Sequence, residues 1–366
     1  MKIALVLAMP APYHNPVFEK VAKKYSDDFF VLFMTKAEPN RSWKLDTPSF
    51  NHCYLKENIK DASSSSNISY RHNNYDIFYK LKQFNPDIVI TRGFNLTAIY
   101  AWAYTKIFRK KHIPKTDGWK ESERELTFMH RLVREIVYKT SQAFIAASVN
   151  SEKLYLSYGV NKEKIFRSPL CVDNKKFENN VPFDDREYDI MFSGQMIDRK
   201  LPFFFVDIAL KIAKEKPDLK VLILGNGPLK DKFLSELMQN NIDFDYPGFV
   251  QQDELPQYFA NTKLFLFPTQ KDPWGVVANE AMASGTPVLS THFTGIIDDL
   301  LIDGKNGYIL DIDSTLWSKK AIKLLHNKSL WKAFSDNAKV EVAKFTFDNA
   351  SQGIIDACKY TYEKPY

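Results

Sequence analysis

Short runs of aliphatic, β-branched and aromatic residues alternate with segments of helical period along the whole chain. In the first half, Ile3–Ala8, Phe29–Thr35, Asp87–Thr91 and Ala143–Ser148 read as strands, and Asn15–Tyr25, Leu96–Lys111 and Glu121–Lys139 between them read as helices. The pattern restarts with Asp189–Ser193, Lys220–Leu224, Leu264–Pro268, Val288–Ser290 and Tyr308–Leu310, each followed by a helical segment. Such alternation predicts parallel sheets covered by helices on both faces, so the fold class is α/β and doubly wound. A polar region from Asn51 to Tyr75, which includes the serine run Ser63–Ser66, is expected to be an exposed, mobile loop.

A chain of 366 residues is too long for one ordinary core, and the restart divides it in two. The polar stretch Glu178–Tyr188, with Pro182 and four acids, reads as the linker, giving a first domain of residues 1–180 and a second from residue 181. A hydrophobic content of 45% with 14% aromatic residues is enough to fill both.

The three cysteines, Cys53, Cys171 and Cys358, are far apart and lack CxxC spacing, which fits reduced packing thiols in a cytoplasmic protein. The apolar start, Met1–Ala8, runs directly into a Pro-rich loop and an amphipathic helix, so it reads as a buried first strand and not as a secretory signal. No segment approaches the roughly 20 apolar residues that a spanning helix needs. The net charge of +6 is uneven: residues 1–180 carry 29 Lys and Arg against 18 Asp and Glu, and the remainder 21 against 26. The first half therefore favours an anionic partner or presents a solvated basic face. Its basic residues are dispersed and match no nucleic-acid module, so no nucleic-acid partner is expected.

Chemistry concentrates in Lys271–Pro287, KDPWGVVANEAMASGTP. A helix that begins near Gly275 presents the free amides of Gly275, Val276 and Val277, which suit a diphosphate. Glu280, about one and a half turns in, is placed to accept hydrogen bonds from a ribose diol, and Asp272 to meet a sugar hydroxyl. Spacing alone equally allows two solvated acids favoured by the helix dipole. Asp243-Phe244-Asp245 and Asp311-Ile312-Asp313 have D-x-D form but no neighbouring ligands, and the seven histidines show no ligand spacing, so no metal or other cofactor is expected.

These residues resemble the signature of glycosyltransferase family 4, the retaining nucleotide-sugar transferases of the group 1 type. In that signature two glutamates flank a Pro-Phe-Gly turn, followed by Glu-Ala-Met-Ala-x-Gly-x-Pro-Val. Here Asp272 stands for the first glutamate and Trp274 for the aromatic, while Glu280-Ala281-Met282-Ala283, Gly285 and Pro287 match. Phe192-Ser193-Gly194-Gln195 with Arg199-Lys200, the turn Gly225-Asn226-Gly227, and Gly248-Phe249-Val250 resemble the family's phosphate loop, second glycine turn and nucleobase pocket.

The resemblance implies a GT-B fold: two Rossmann-like domains facing each other across a cleft, with residues 181–345 as the donor domain and a final helix, about 346–366, packed back on the first. It implies donor binding by Gly194, Gln195, Gly225, Gly227, Phe249, Val250, Trp274, Gly275, Val276, Val277 and Glu280. Lys200, Arg199, Asp272 and Asp117 would carry the chemistry. Gln195 replaces the family's usual arginine, which puts more of the phosphate stabilisation on Lys200.

The acceptor side would be formed by the first domain, whose first-strand loop, Met9–Pro16, has no glycine, through His14, Arg92 and Asp117. A packing histidine and a turn aspartate are the plain alternatives. The implied reaction moves a sugar from a nucleoside diphosphate to a hydroxyl of a glycan or a polyprenyl-diphosphate-linked acceptor, as in bacterial surface polysaccharide assembly. A nucleotide-sugar 2-epimerase and a non-catalytic binding module share the same features. Leu96–Lys111 mixes aromatic residues with a basic end, which suits either an anionic membrane surface at the inner face or a core-packed helix.

Overall fold

A computed structural model of the chain describes residues 1–63, 68–124 and 126–364. They form two compact units: the N-terminal residues up to Leu170 with Thr346–Tyr366, and Cys171–Phe345.

In the first unit the strands are β1 (Ile3–Leu7), β2 (Phe29–Phe33), β3 (His52–Tyr54), β4 (Ile59–Asp61), β5 (Tyr70–His72), β6 (Ile88–Arg92), β7 (Lys111–Thr116), β8 (Phe144–Ala146) and β9 (Ile165–Arg167). Seven of them form a parallel sheet in the order β3-β2-β1-β6-β7-β8-β9, while β4 and β5 make a separate antiparallel pair. Every residue of β1 is buried, because helices lie on both faces. The C-terminal helix Phe347–Glu363 packs on the helix Asn15–Tyr25 and passes so close to β9 that a methyl group on Gly353 would lie 1.7 Å from the Arg167 carbonyl oxygen.

The second unit repeats the plan with β10 (Tyr188–Ser193), β11 (Lys220–Leu224), β12 (Asp243–Gly248), β13 (Thr262–Phe267), β14 (Val288–Thr291) and β15 (Gly307–Leu310). Its six strands run parallel in the order β12-β11-β10-β13-β14-β15. Both sheets are doubly wound as expected. The order reverses between β1 and β6 in one and between β10 and β13 in the other. At such a reversal the loops leaving neighbouring strand ends go to opposite faces of the sheet and leave a crevice.

Several elements differ from the sequence expectation. The region 51–75 is not one loop: it holds β3 on the sheet edge and the β4–β5 pair, strands too short to show a period, while Ser64–Asn67 lie outside the described residues. The helix expected over Leu96–Lys111 stops at Ile107, and Lys111 begins β7, a central strand. Pro114 hid it, since proline lacks the N–H that a ladder needs. Pairing to β8 starts only at Lys115, one residue beyond the proline.

The helix expected from Glu121 begins at Phe128, where the Thr127 side chain accepts from the His130 amide. Asp243 and Asp245 lie on the edge strand β12, where Asp245 accepts from the Tyr188 hydroxyl at 2.7 Å, and Asp313 caps the helix Ser314–Leu325.

The division between the units falls at Leu170/Cys171, earlier than the expected 180/181. Residues beyond 171 are tied into the second unit by buried contacts. Phe177 is buried and its carbonyl accepts from Ser284 Oγ. Arg186, placed by its polar surroundings in the supposed linker, is 2% exposed. Its guanidinium donates to the carbonyls of Val181, Thr262 and Ser284 and to the Thr286 hydroxyl at 2.7–3.2 Å, and burial lowers its pKa to about 10. A cation held by carbonyl dipoles instead of a carboxylate joins three segments of the chain. Replacing Arg186 with Met is expected to destabilise the protein by about 3 kcal/mol, read as a lower urea midpoint for the second unit.

Candidate active site

In the second unit the loops leaving β10 and β13 flank the reversal point. The β10 loop turns at Gly194, whose φ is +149° and beside whose α-carbon there is open space. Gly225 and Gly227 serve packing: a methyl group would fall 2.0 Å from the Gly194 carbonyl oxygen or 2.5 Å from that of Met196. Their absence of side chains lets the β11 loop hydrogen-bond the β10 loop, Gly194 N–H to Leu224 O and Met196 N–H to Asn226 O. Gln195 stays half-buried.

A short turn, Asp198–Lys200, then carries two cations across to the β13 loop. Lys200 is 8% exposed, with its Nζ 2.5 Å from Asp272 Oδ2 and 4.4 Å from the centre of the Phe267 ring. Arg199 donates to the Lys271 carbonyl at 2.8 Å and stands 3.8 Å from the same Asp272 oxygen. Burial opposes the charge on Asp272, but Lys200 and Arg199 outweigh it and hold the carboxyl below its usual value. The other Asp272 oxygen accepts from the Trp274 amide at 3.1 Å.

The chain turns at Gly275 with φ +87°, where a β-carbon would press into the Phe267 ring at 2.5 Å. The helix Val276–Ala283 follows with no side-chain cap on its N-terminus, and Val276 and Val277 are half-exposed there. Glu280 is buried in this helix, which raises its carboxyl to about 8 against the opposing effect of a hydrogen bond with Gln252. Gln252 follows Phe249, which is 40% exposed, and the buried Val250.

One expected donor contact is not available: the Trp274 side chain is 1% exposed, bonded through Nε1 to Asn279 Oδ1 at 2.8 Å and packed on Phe345, while its amide is spent on Asp272. An apolar ring before a tight turn is drawn inward, and here it braces the turn.

The first unit has its own cluster at the carboxyl ends of β1, β6 and β7. Arg92, the last residue of β6, donates to Asp117 at 2.6 Å just past the end of β7. Burial opposes the Asp117 charge, and Arg92 and Lys115 together keep the carboxyl below its usual value. Lys115 is buried and donates to Ser168 Oγ at 3.1 Å. His14, after β1, is 3% exposed and stacked on Phe18, and its Nε2 has no hydrogen-bond partner among the described residues. Burial first, then Arg92 and Lys115, push its pKa well below 6.5, so the imidazole is neutral at physiological pH.

The model of the family described as glycosyl transferases group 1 matches residues 173–341. The match covers 169 of the chain's 366 residues, and over that segment the chain is similar to group 1 glycosyl transferases. An uncharacterized glycosyltransferase of Methanocaldococcus jannaschii is 27% identical over 195 residues, 51% of this chain and 48% of that protein, so the chain spans about half the length of this relative. The 2-deoxystreptamine N-acetyl-D-glucosaminyltransferase of Niallia circulans is 23% identical over 264 residues, 68% of each. The solved structure of HepE from Anabaena, in complex with UDP and glucose, has a TM-score of 0.74 at 15% identity, covering 98% of this chain and 99% of that one, and so shares the GT-B fold. The matched segment contains Lys200, Arg199, Asp272 and Glu280; His14, Arg92 and Asp117 lie outside it.

Phe267, Gln252 and Lys115 escaped the sequence reading. Phe267 looks like any strand residue, yet its ring carries Lys200 and forces glycine at 275. Lys115 lies in KHIPKT, a stretch with no apolar strand pattern, so nothing local marked it as buried.

Glu280 generates a pH prediction. Its carboxyl titrates near 8 in the folded protein and near 4.5 when unfolded, so the folded state holds an extra proton between those values and stability falls as pH rises through that window. Glu280→Gln is expected to flatten this slope, so that the loss of melting temperature from about pH 5 to about pH 8 is smaller than in the parent protein.

Proposed function

We propose that the protein is a retaining glycosyltransferase that moves a sugar from a nucleoside diphosphate to a hydroxyl of a glycan or polyprenyl-linked acceptor, in surface polysaccharide assembly. The observation that carries this reading is the set of groups at the β10–β13 reversal: a buried lysine, a second cation, an uncapped helix start and a buried carboxylate.

The diphosphate lies on the amides of Val276 and Val277, which have no side-chain cap to displace. Lys200 and Arg199 turn from Asp272 toward the phosphate oxygens and stabilise the charge that grows on the leaving group. Asp272, released, accepts from sugar hydroxyls. Glu280, whose burial favours its protonated form, meets the ribose diol with one carboxyl oxygen accepting and the other donating, and the segment through Phe249 and Val250 holds the base.

Asp272 is bonded to Lys200 and to an amide, an arrangement that suits orientation better than nucleophilic attack. Retention then follows a front-face course in which the departing phosphate takes the acceptor proton. On the acceptor side, Arg92 and Asp117 orient hydroxyls, and neutral His14 offers Nε2 as a hydrogen-bond acceptor.

Screening UDP- and GDP-sugars by thermal shift is expected to identify a donor that stabilises the protein, by about 2.7 kcal/mol at a hundred times its Kd. With that donor, Lys200→Ala should lower kcat about a hundredfold to a thousandfold. Glu280→Gln should weaken donor binding about tenfold or more. Unchanged turnover after loss of the carboxylate at position 280 would sink the reading, as would stabilisation by the donor that persists undiminished in that variant.

A further inference from the structure

The two helical layers of the first unit differ in a way that sugar transfer does not require. A right-handed chain that moves from β1 to β2 and from β6 to β9 in opposite directions puts its crossover helices on opposite faces. One face carries Asn15–Tyr25 with the C-terminal helix; the other carries Ile77–Phe84, Leu96–Ile107, Phe128–Lys139 and Val149–Ser157. Ring contacts join the members of this second layer: Phe78 meets Tyr104, Trp102 Nε1 donates to Thr140 Oγ1, and Tyr138 meets Tyr155.

Among the described residues, nine of the unit's ten exposed large hydrophobic side chains belong to the second layer, and the first layer supplies Tyr362. Phe128 is 75% exposed, Ile107 65%, Tyr79 63% and Met129 62%. Such side chains scattered singly need no explanation, but nine on one face do. The same layer is basic. Residues 75–85, 95–110, 127–140 and 149–157 carry nine Lys and Arg against three Asp and Glu, and the nearby acid Glu123 is engaged by Arg134 at 2.7 Å.

We propose that this layer seats the protein on an anionic lipid bilayer, with Phe128–Met129 and Ile107–Phe108 entering the headgroup boundary and Lys82, Arg109, Arg131 and Lys139 facing lipid phosphates. Apolar side chains flanked by cations match the two parts of such a surface, the acyl boundary and the negative headgroups. The seat extends beyond the helix Leu96–Ile107, which was the only sequence candidate. Leu96 and Phe128 begin their helices at the carboxyl edge of the sheet, the edge that bears Arg92 and Asp117. A lipid-linked acceptor would arrive at that edge. This last point rests on the sugar-transfer reading; the docking itself does not.

The test is flotation of the full chain with vesicles of phosphatidylcholine alone or with added phosphatidylglycerol. The parent protein is expected to float with the anionic vesicles and far less with the neutral ones. The double variants Phe128→Ser with Met129→Ser, and Ile107→Ser with Phe108→Ser, should each weaken flotation about tenfold or more. Both should keep the parent circular dichroism and thermal stabilisation by UDP, since none of the four residues belongs to the donor site.

Flotation that survives both double variants but disappears with salt would overturn the apolar seat. Absence of flotation with either vesicle would overturn the proposal outright. Self-association without lipid, abolished by the same variants and unaccompanied by flotation, would assign the face to a second copy of the chain. A parent protein that floats but is indifferent to every nucleotide would leave the docking intact and remove the sugar-transfer reading instead.

Discussion

A lysine and an aspartate held together at the point where a parallel sheet reverses its strand order are the contact around which the second unit is organised. The two residues come from loops 72 positions apart in sequence. Neither loop is rigid by composition, and each depends on the other: the Arg199 carbonyl accepts from Gln270 and Thr269, while its guanidinium donates to Lys271. Burying an ammonium group without a partner is costly, so Asp272 keeps Lys200 folded inward in the absence of a ligand. Under the proposed function, a phosphate would offer Lys200 an equivalent partner and free the carboxylate for another one.

The short helix Val276–Ala283 is built to complement this pair. Its C-terminal carbonyl at Ser284 receives the buried guanidinium of Arg186, and its N-terminus has no side-chain cap. Cation at one end and open amides at the other both follow the polarity of the helix. The unit thereby fixes the helix from behind and leaves its front for an anion. Buried Trp274 and the strict need for glycine at 275 set the angle at which that front emerges. Stability and function are linked here through geometry, since the groups that anchor the helix never touch the ligand that the helix would hold.

In the first unit the same sheet plan is used differently. There is no glycine turn after β1 and no free helix start rich in glycine; instead an ion pair, a buried lysine and a neutral histidine occupy the carboxyl edge. Groups of this kind orient hydroxyls and hold mixed polar ligands, whereas closely approaching backbone amides favour a phosphate. Under the proposed function, this difference in loop chemistry on one architecture would assign the nucleotide to the second unit and the acceptor to the first.

Sequence by itself determined the α/β class, the two sheets, most central strands and the segment Lys271–Pro287, because apolar runs, helical period and a glycine turn are local patterns that survive without knowledge of neighbours. Asp272 and Glu280 stood out as candidates by their spacing around that turn, and Lys200 only by resemblance to a known transferase signature. What it left open were elements whose local signal contradicts their place: β7 with its central proline, the three-residue strands between 51 and 75, and Arg186 in a stretch polar enough to pass for a linker. Only the tertiary structure decided that Trp274 turns inward, that Gly225 and Gly227 serve loop packing, and that Phe267 carries Lys200. Those facts depend on distances between residues far apart in the chain, and packing at those distances decides whether a side chain faces a ligand or the core.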